Sequence, residues 1–309
     1  MRFAPRKGPI REKLDLGQCR LNFYQRPTRR LVSPTIVVQP VVTNIGGISI
    51  ALFVEDPSFV QLLQKRYAGF VNPTDDFQFR INIELVDDAA EFQHSEALKV
   101  KRDGGRWMFR RGDFQAEWNS ETRTGKIIQS ANPYSADAVL RIVHTLILAR
   151  QGGFLLHAAS AIRDGRAFLF SGVSGAGKTT ISRLAPPDAT LLTDEISYVR
   201  PDGNGYRAFG TPFAGELATL GENVSAPVST LFFLEKGKEN RVQMVPRDQA
   251  MRALLRNILF FADDRELVDL VFQSACNFAE RAGIRKLTFV PDRKVWQAIR
   301  SGASSLGEF

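Results

Sequence analysis

The spacing of hydrophobic residues divides this chain into a strand-rich first half and a second half in which strands alternate with helices. Between Leu31 and about Asn132, short runs alternate or are rich in β-branched residues, as in Ile48–Val54 and Phe79–Val86. Leu98–Lys101, Arg106–Arg110 and Phe114–Trp118 follow, separated by the turn signals Asp103-Gly104-Gly105 and Arg111-Gly112-Asp113. Pro57–Tyr67 is the single helical pattern there, and Trp107 and Trp118 are expected to pack a small core.

The period then lengthens. Asn132 is placed to cap a helix with Pro133 at its first position. Val139, Leu140, Ile142, Val143, Leu146 and Ile147 make that helix apolar nearly all round, which predicts burial between layers, with His144 a core or boundary histidine. Gly152-Gly153 ends it. Phe154–Ile162 and Ala167–Gly172 read as strands about the turn Arg163-Asp164-Gly165-Arg166, and a helix runs on to about Leu184, stopped by Pro186-Pro187. Short strands are predicted at Ala189–Thr193, Ile196–Arg200, Tyr206–Gly210 and Ser229–Leu234. Helices are predicted at Arg247–Ala262 and Arg265–Ala282 with Gly283 as C-cap, then a strand at Lys286–Val290 and a helix at Arg293–Arg300. The chain thus reads as a basic, flexible arm over residues 1–30, a β-rich N-terminal domain over 31–132, and an α/β domain over 133–309 opened by the lead-in helix 133–151.

Composition adds little until charge is mapped. The 309 residues are 44% hydrophobic and 24% charged, ordinary for a globular protein long enough to bury a core. The net charge is +8, and much of it lies before Leu31: Arg2, Arg6, Lys7, Arg11, Lys13, Arg20, Arg26, Arg29 and Arg30 against Glu12 and Asp15. Such an arm is either a solvated tail or a binder of acidic peptide or nucleic acid; no zinc-ligand spacing or aromatic-basic motif favours nucleic acid. Cys19 and Cys276 do not make a disulfide framework, so a reducing, cytoplasmic setting is expected. No apolar run approaches the ~20 residues of a membrane span, and no apolar stretch behind the basic start suggests a secretory signal.

Chemistry concentrates in one stretch. Gly172-Val173-Ser174-Gly175-Ala176-Gly177-Lys178-Thr179 matches G-x-x-x-x-G-K-[ST] in full, with Thr180 beyond it, an apolar strand before it and a helix after it. Glycines let backbone N–H groups turn inward around phosphate oxygens, and the helix start presents its positive end to the same anion. Lys178 is expected to reach the β- and γ-phosphates, and Thr179 to ligate Mg²⁺. The ligand expected is ATP or GTP with Mg²⁺. Upstream, His157 in Leu155-Leu156-His157-Ala158-Ala159-Ser160 is either a core histidine or a phosphate or carboxylate partner. Downstream, Asp194-Glu195 ends an apolar strand, where one carboxylate can take a proton from an attacking hydroxyl and the other hold the metal. Glu216, in Gly210-Thr211-Pro212-Phe213-Ala214-Gly215-Glu216, says little by itself.

Taken together, L-H-A-A-S, a hairpin, G-x-S-G-A-G-K-T-T, L-L-T-D-E and G-T-P-F-x-G-E resemble the HPr kinase/phosphorylase family, and more closely its HPr-kinase-related members, over roughly Phe154 to Val290. The resemblance implies a mixed-sheet P-loop kinase core of the HPr kinase/phosphoenolpyruvate carboxykinase type, and phosphoryl transfer from a nucleotide to a serine hydroxyl, in some members reversible. It implies that Lys178 and the loop amides hold phosphate, that Thr179 binds Mg²⁺, that Asp194 is the general base, that His157 flanks the site and that Glu216 is a further metal ligand. It also favours a homo-oligomer. The acid pair here is Asp-Glu where the family has Asp-Asp, so Glu195 has no inherited role. The downstream signature that docks HPr is absent, which argues against HPr as substrate and leaves a peptide or carrier-protein hydroxyl. A small-metabolite kinase and a non-catalytic nucleotide-binding module are the other readings.

Overall fold

The computed structural model describes residues 39–72, 76–86, 97–213, 215 and 221–304. The basic arm, Cys19 and Glu216 lie outside them. The described residues form one compact unit. It is an α/β structure built on two mixed sheets.

The first sheet has seven strands in the order β1-β2-β3-β7-β6-β5-β4. These are β1 (Val41–Ile45), β2 (Ile48–Val54), β3 (Phe79–Leu85), β4 (Lys99–Asp103), β5 (Arg106–Arg111), β6 (Phe114–Asn119) and β7 (Thr124–Gln129). Helix α1 (Pro57–Arg66) crosses from β2 to the parallel β3. Asp56 caps α1, its side chain accepting from the Phe59 N–H at 2.7 Å. Trp107 and Trp118 face each other across β5 and β6 and are buried. Strands β1 and β7 were not anticipated. Each is short, and β7 pairs along its whole length with β6 before it on one side and in parallel with β3 on the other.

Helix α2 (Pro133–Arg150) starts where the Asn132-Pro133 signal put it, with the Asn132 side chain accepting from the Tyr134 N–H at 3.0 Å. One apolar cluster joins it to both sheets: Ile81, Phe109 and Trp118 on one side, and Leu155, Ile196 and Tyr198 on the other. An all-round apolar helix therefore fills the layer between them. His144 on α2 is wholly buried, with its Nδ1 3.1 Å from the Tyr198 hydroxyl. Burial pushes its pKa down to about 3.

That has a measurable consequence. Below pH 6.5 the unfolded chain takes up a proton that folded His144 refuses, so stability is full above that pH and declines as pH falls towards 3. The wild type should lose roughly 2 kcal/mol between about pH 7.5 and pH 5 that His144→Gln does not lose, measured by denaturant unfolding. Parallel losses in both proteins would remove His144 as the cause.

The second sheet has nine strands, β10-β8-β11-β12-β13-β16-β14 with β15 and β9 also joined to it. Its elements are β8 (Phe154–Arg163), β9 (Arg166–Ser171), α3 (Lys178–Arg183), β10 (Thr190–Thr193), β11 (Ile196–Asp202), β12 (Gly205–Phe209), β13 (Ser225–Lys236), β14 (Arg241–Met244), α4 (Arg247–Asn257), β15 (Ile258–Leu259), α5 (Arg265–Arg281), β16 (Gly283–Phe289) and α6 (Val295–Ser304). Strand β8 changes partners midway. Phe154–His157 pairs with β11, and Ala158–Arg163 with β9. Strands β9 and β16 both run parallel to β13, which places the end of β9 beside the end of β13.

Two expectations need correction. The helix predicted to reach Ala262 stops at Asn257, because Ile258 and Leu259 turn extended and pair with Leu156 and Leu155. A ladder to a distant strand outweighs the local helical pattern there. Gly283 is not a C-cap glycine: the chain leaves α5 through an extended Ala282, and Gly283 opens β16. Strand β14 was not anticipated either.

Candidate active site

The Gly172–Thr180 stretch leaves β9 at Ser171 and enters α3 at Lys178. Its backbone is one that only glycine holds without strain. Gly172, Gly175 and Gly177 have φ of +154°, +76° and +111°. A Cβ on Gly177 would lie 2.6 Å from the Phe289 ring, whereas one on Gly175 meets nothing within 4 Å. The loop is thus wedged at its base and open at its crest, where Val173 is 79% exposed. Beneath it Ala176 and Ile181 pack with Phe170, Phe232, Phe289 and Trp296. Lys178 folds back so that its Nζ donates to the Gly172 carbonyl at 3.2 Å. Thr179 and Thr180 follow in the first turn of α3. A cavity of about 490 Å³, lined in part by Ser174, Lys236 and Lys286, gives a ligand on the loop room to extend.

Asp194 and Glu195 occupy a break in the sheet. Strand β10 ends at Thr193 opposite Ser160, and β11 begins at Ile196 opposite His157. The Thr193 hydroxyl oxygen accepts from both the Glu195 and Ile196 N–H groups at 3.2 Å, which holds the chain in a turn. Asp194 is buried, and its Oδ1 accepts from the Gly215 N–H at 2.8 Å. Gly215 is needed for that approach: a Cβ there would come within 3.0 Å of the Asp194 carboxylate.

His157 sits on β8 at its change of partner, next to Ala158, which pairs with Ser171 at the mouth of the loop. Burial, and secondarily the charge of Lys178, lower its pKa, so the imidazole is held neutral. Burial raises the pKa of the half-buried Glu195. The charges of Arg141 and Lys178 oppose that rise, while Asp194 and Asp137 reinforce it. Lys178 therefore stands within electrostatic reach of both His157 and Glu195. The structure brings together the loop, His157 and the Asp194-Glu195 pair; Glu216 lies outside the described residues. Among the described residues no cluster of three or more His, Cys, Asp or Glu side chains could hold a metal ion, and no helix is long and apolar enough to cross a membrane.

Two neighbours escape a motif reading. Phe213 is fully buried, its ring 6.3 Å from His144 and 5.1 Å beneath the Arg141 guanidinium. Arg141 and Asp137 stand one turn apart on α2, and such a charged pair inside an otherwise apolar helix is the signal that sequence did offer.

Fold and site define a mixed α/β protein with a glycine-rich loop between a strand and a helix, near the buried Asp194 and the half-buried Glu195. The chain belongs to the family of the SynChlorMet cassette protein ScmC, whose model matches residues 134–299. No curated protein matches it. Among solved structures, the HPr(Ser) kinase/phosphatase from Coxiella burnetii is similar at 12% identity and a TM-score of 0.25, over 49% of this chain and 94% of that one.

Proposed function

We propose that this chain is a kinase that transfers the γ-phosphoryl group of ATP to a hydroxyl, most simply a serine, of a peptide or carrier protein. One observation carries the reading: Lys178, turned into a glycine-built loop, stands across from Asp194 and Glu195 in a sheet break that leaves them beside small residues, Ala158 and Ala159. The inward backbone of Gly172–Gly177 and the Lys178 ammonium suit the phosphates of a nucleoside triphosphate. Asp194, oriented by the Gly215 N–H, takes the hydroxyl proton as the acceptor oxygen bonds to phosphorus and the bridge to the β-phosphate breaks, releasing nucleoside diphosphate. His157, kept neutral, donates or accepts a hydrogen bond at the loop mouth without adding charge. Thr179 and Glu195 would hold Mg²⁺, which supplies neutralisation of the phosphate charge.

The test is transfer of label from γ-labelled ATP to an array of serine peptides and to small hydroxyl compounds. Transfer to a peptide, abolished by Lys178→Ala with a rise in nucleotide Kd of about 100-fold, is the expected result. Tight ATP binding with no transfer to any acceptor would instead make the chain a nucleotide-responsive module.

A further inference from the structure

A second cavity, of about 340 Å³, opens between α2 and the first sheet. Leu98, Phe114 and Phe261 give it an apolar wall, and Arg111, Asp137 and Arg141 line its polar side. The other cations near it bond carboxylates directly, although the buried Nε of Arg66 is, like that of Arg141, without a partner. Arg111 makes a two-pronged pair with Asp113 at 2.5 and 2.7 Å, and Asp113 also accepts from the Ser135 hydroxyl. Arg66 hydrogen-bonds Asp137 directly.

Arg141 is different. Its closest carboxylate oxygen, on Asp137, is 3.6 Å away, outside hydrogen-bond distance, and is the one Arg66 already engages. Its Nε is buried and has no hydrogen-bond partner. Among the described residues its guanidinium meets this loose pair and the face of Phe213, and its charge reaches Glu195 without a direct bond. A guanidinium carries five N–H donors in a planar fork that fits carboxylate, and leaving the buried Nε unmet is costly. Two arginines share one aspartate there, so neither is neutralised by a carboxylate of its own.

Arg141 is also tied to the carboxylate pair. It stacks on Phe213, two residues before Gly215, whose N–H fixes Asp194. The charges of Arg141 and Lys178 both act on Glu195, so the arginine of the cavity and the lysine of the loop share that carboxylate as a neighbour.

We infer that this cavity receives the phosphate acceptor, and that Arg141 binds a carboxylate lying close to the accepting hydroxyl, with an apolar group of the acceptor against Leu98, Phe114 and Phe261. The inference rests on the kinase reading and names its substrate class: a hydroxyl compound with a neighbouring carboxylate. Two sources share that chemistry, a serine peptide with an adjacent acidic residue and a free hydroxy acid such as serine itself. The transfer is balanced as before. The acceptor oxygen gains the phosphoryl group, its proton passes to Asp194 and nucleoside diphosphate leaves, while Arg141 is a specificity residue that undergoes no covalent change.

The experiment uses the full chain with a non-hydrolysable ATP analogue. One arm titrates alanine-for-serine peptides carrying aspartate beside the central position, and matched peptides carrying asparagine. The other arm titrates free serine. The peptide source predicts that aspartate peptides bind at least about tenfold tighter than asparagine peptides, the range for a charge-assisted hydrogen bond to a buried guanidinium. The hydroxy-acid source predicts saturable binding of serine instead. In Arg141→Gln the preference should vanish while asparagine-peptide and nucleotide affinities hold. Arg141→Lys, which keeps the charge and the contact with Asp137, should recover only part of it. Unfolding midpoints of both variants separate a folding defect from a binding one. A preference that survives Arg141→Gln, or no discrimination by the wild type in either arm, overturns the inference. A lost preference together with absent transfer from ATP would overturn the kinase reading and leave the carboxylate site standing.

Discussion

Asp194→Asn lowers the rate of phosphoryl transfer by roughly 10²–10⁴-fold and leaves nucleotide affinity within about twofold. The substitution is close to isosteric. The amide oxygen can still accept from the Gly215 N–H that now meets Oδ1 at 2.8 Å, so the turn through Thr193 and the buried position are kept. What is lost is the capacity to take a proton. Nucleotide affinity is preserved because the loop is built on a separate apolar cluster, from Phe170, Ile181, Phe232 and Phe289, which Asp194 does not join. Single-turnover transfer and equilibrium titration of the nucleotide measure the two effects separately. Glu195→Gln should be milder in the chemical step and stronger in its Mg²⁺ dependence, since Glu195 is assigned to the metal rather than the proton. An Asp194→Asn enzyme that transfers at the wild-type rate while binding nucleotide normally would move the proton to another acceptor, and the half-buried Glu195, whose carboxyl is already pushed towards the protonated form by burial, would be the next to test.

How much of this was legible in the sequence depends on whether each feature is local. The glycine-rich loop was, because its requirement for positive φ at Gly175 and Gly177 is written in residue type and spacing. So was the cap of α2, a contact within two residues, and so was the burial of that helix, which its all-round apolar surface demanded. The order of strand, loop, helix, strand and acid pair placed His157, Lys178 and Asp194-Glu195 in one neighbourhood, because β8 must pair on both sides with segments that follow it closely. Features specified by distant partners were not legible. Strand β14 exists through β16, and α4 ends early because β8 offers Ile258 and Leu259 a ladder. Nor could the motif reading show that Phe213 bridges Arg141 and His144, or that Arg141 is the one poorly matched guanidinium lining that cavity. Such facts belong to packing across some seventy residues of chain, and the charged pair Asp137 and Arg141 on an apolar helix is their trace in the sequence.

The loop supplies the other large effect, and it comes from sterics rather than charge. Gly177→Ala should weaken nucleotide binding by about 100-fold or more while the rest of the fold survives. At φ of +111° an L-residue is strained, at a cost of order 1–3 kcal/mol. The added methyl would also lie 2.6 Å from the Phe289 ring, which is itself 3% exposed and packed in the cluster beneath the loop. Neither group can give way cheaply: Phe289 is the last residue of β16, paired with Lys236 of β13, and Gly177 is the residue from which α3 starts. The strain is relieved most easily by the loop, which has an open crest, so the backbone N–H groups and Lys178 move off the phosphate positions. Gly175→Ala is the matched control. It has a positive φ of +76° but no atom within 4 Å of the new methyl, so it should cost about 1 kcal/mol of backbone strain and only a few-fold in affinity. Calorimetric titration with ATP, read beside each variant's thermal midpoint, decides the matter. Equal losses at the two glycines would mean that backbone conformation alone governs the loop, and an undiminished affinity in Gly177→Ala would mean that the triphosphate is not held by this loop.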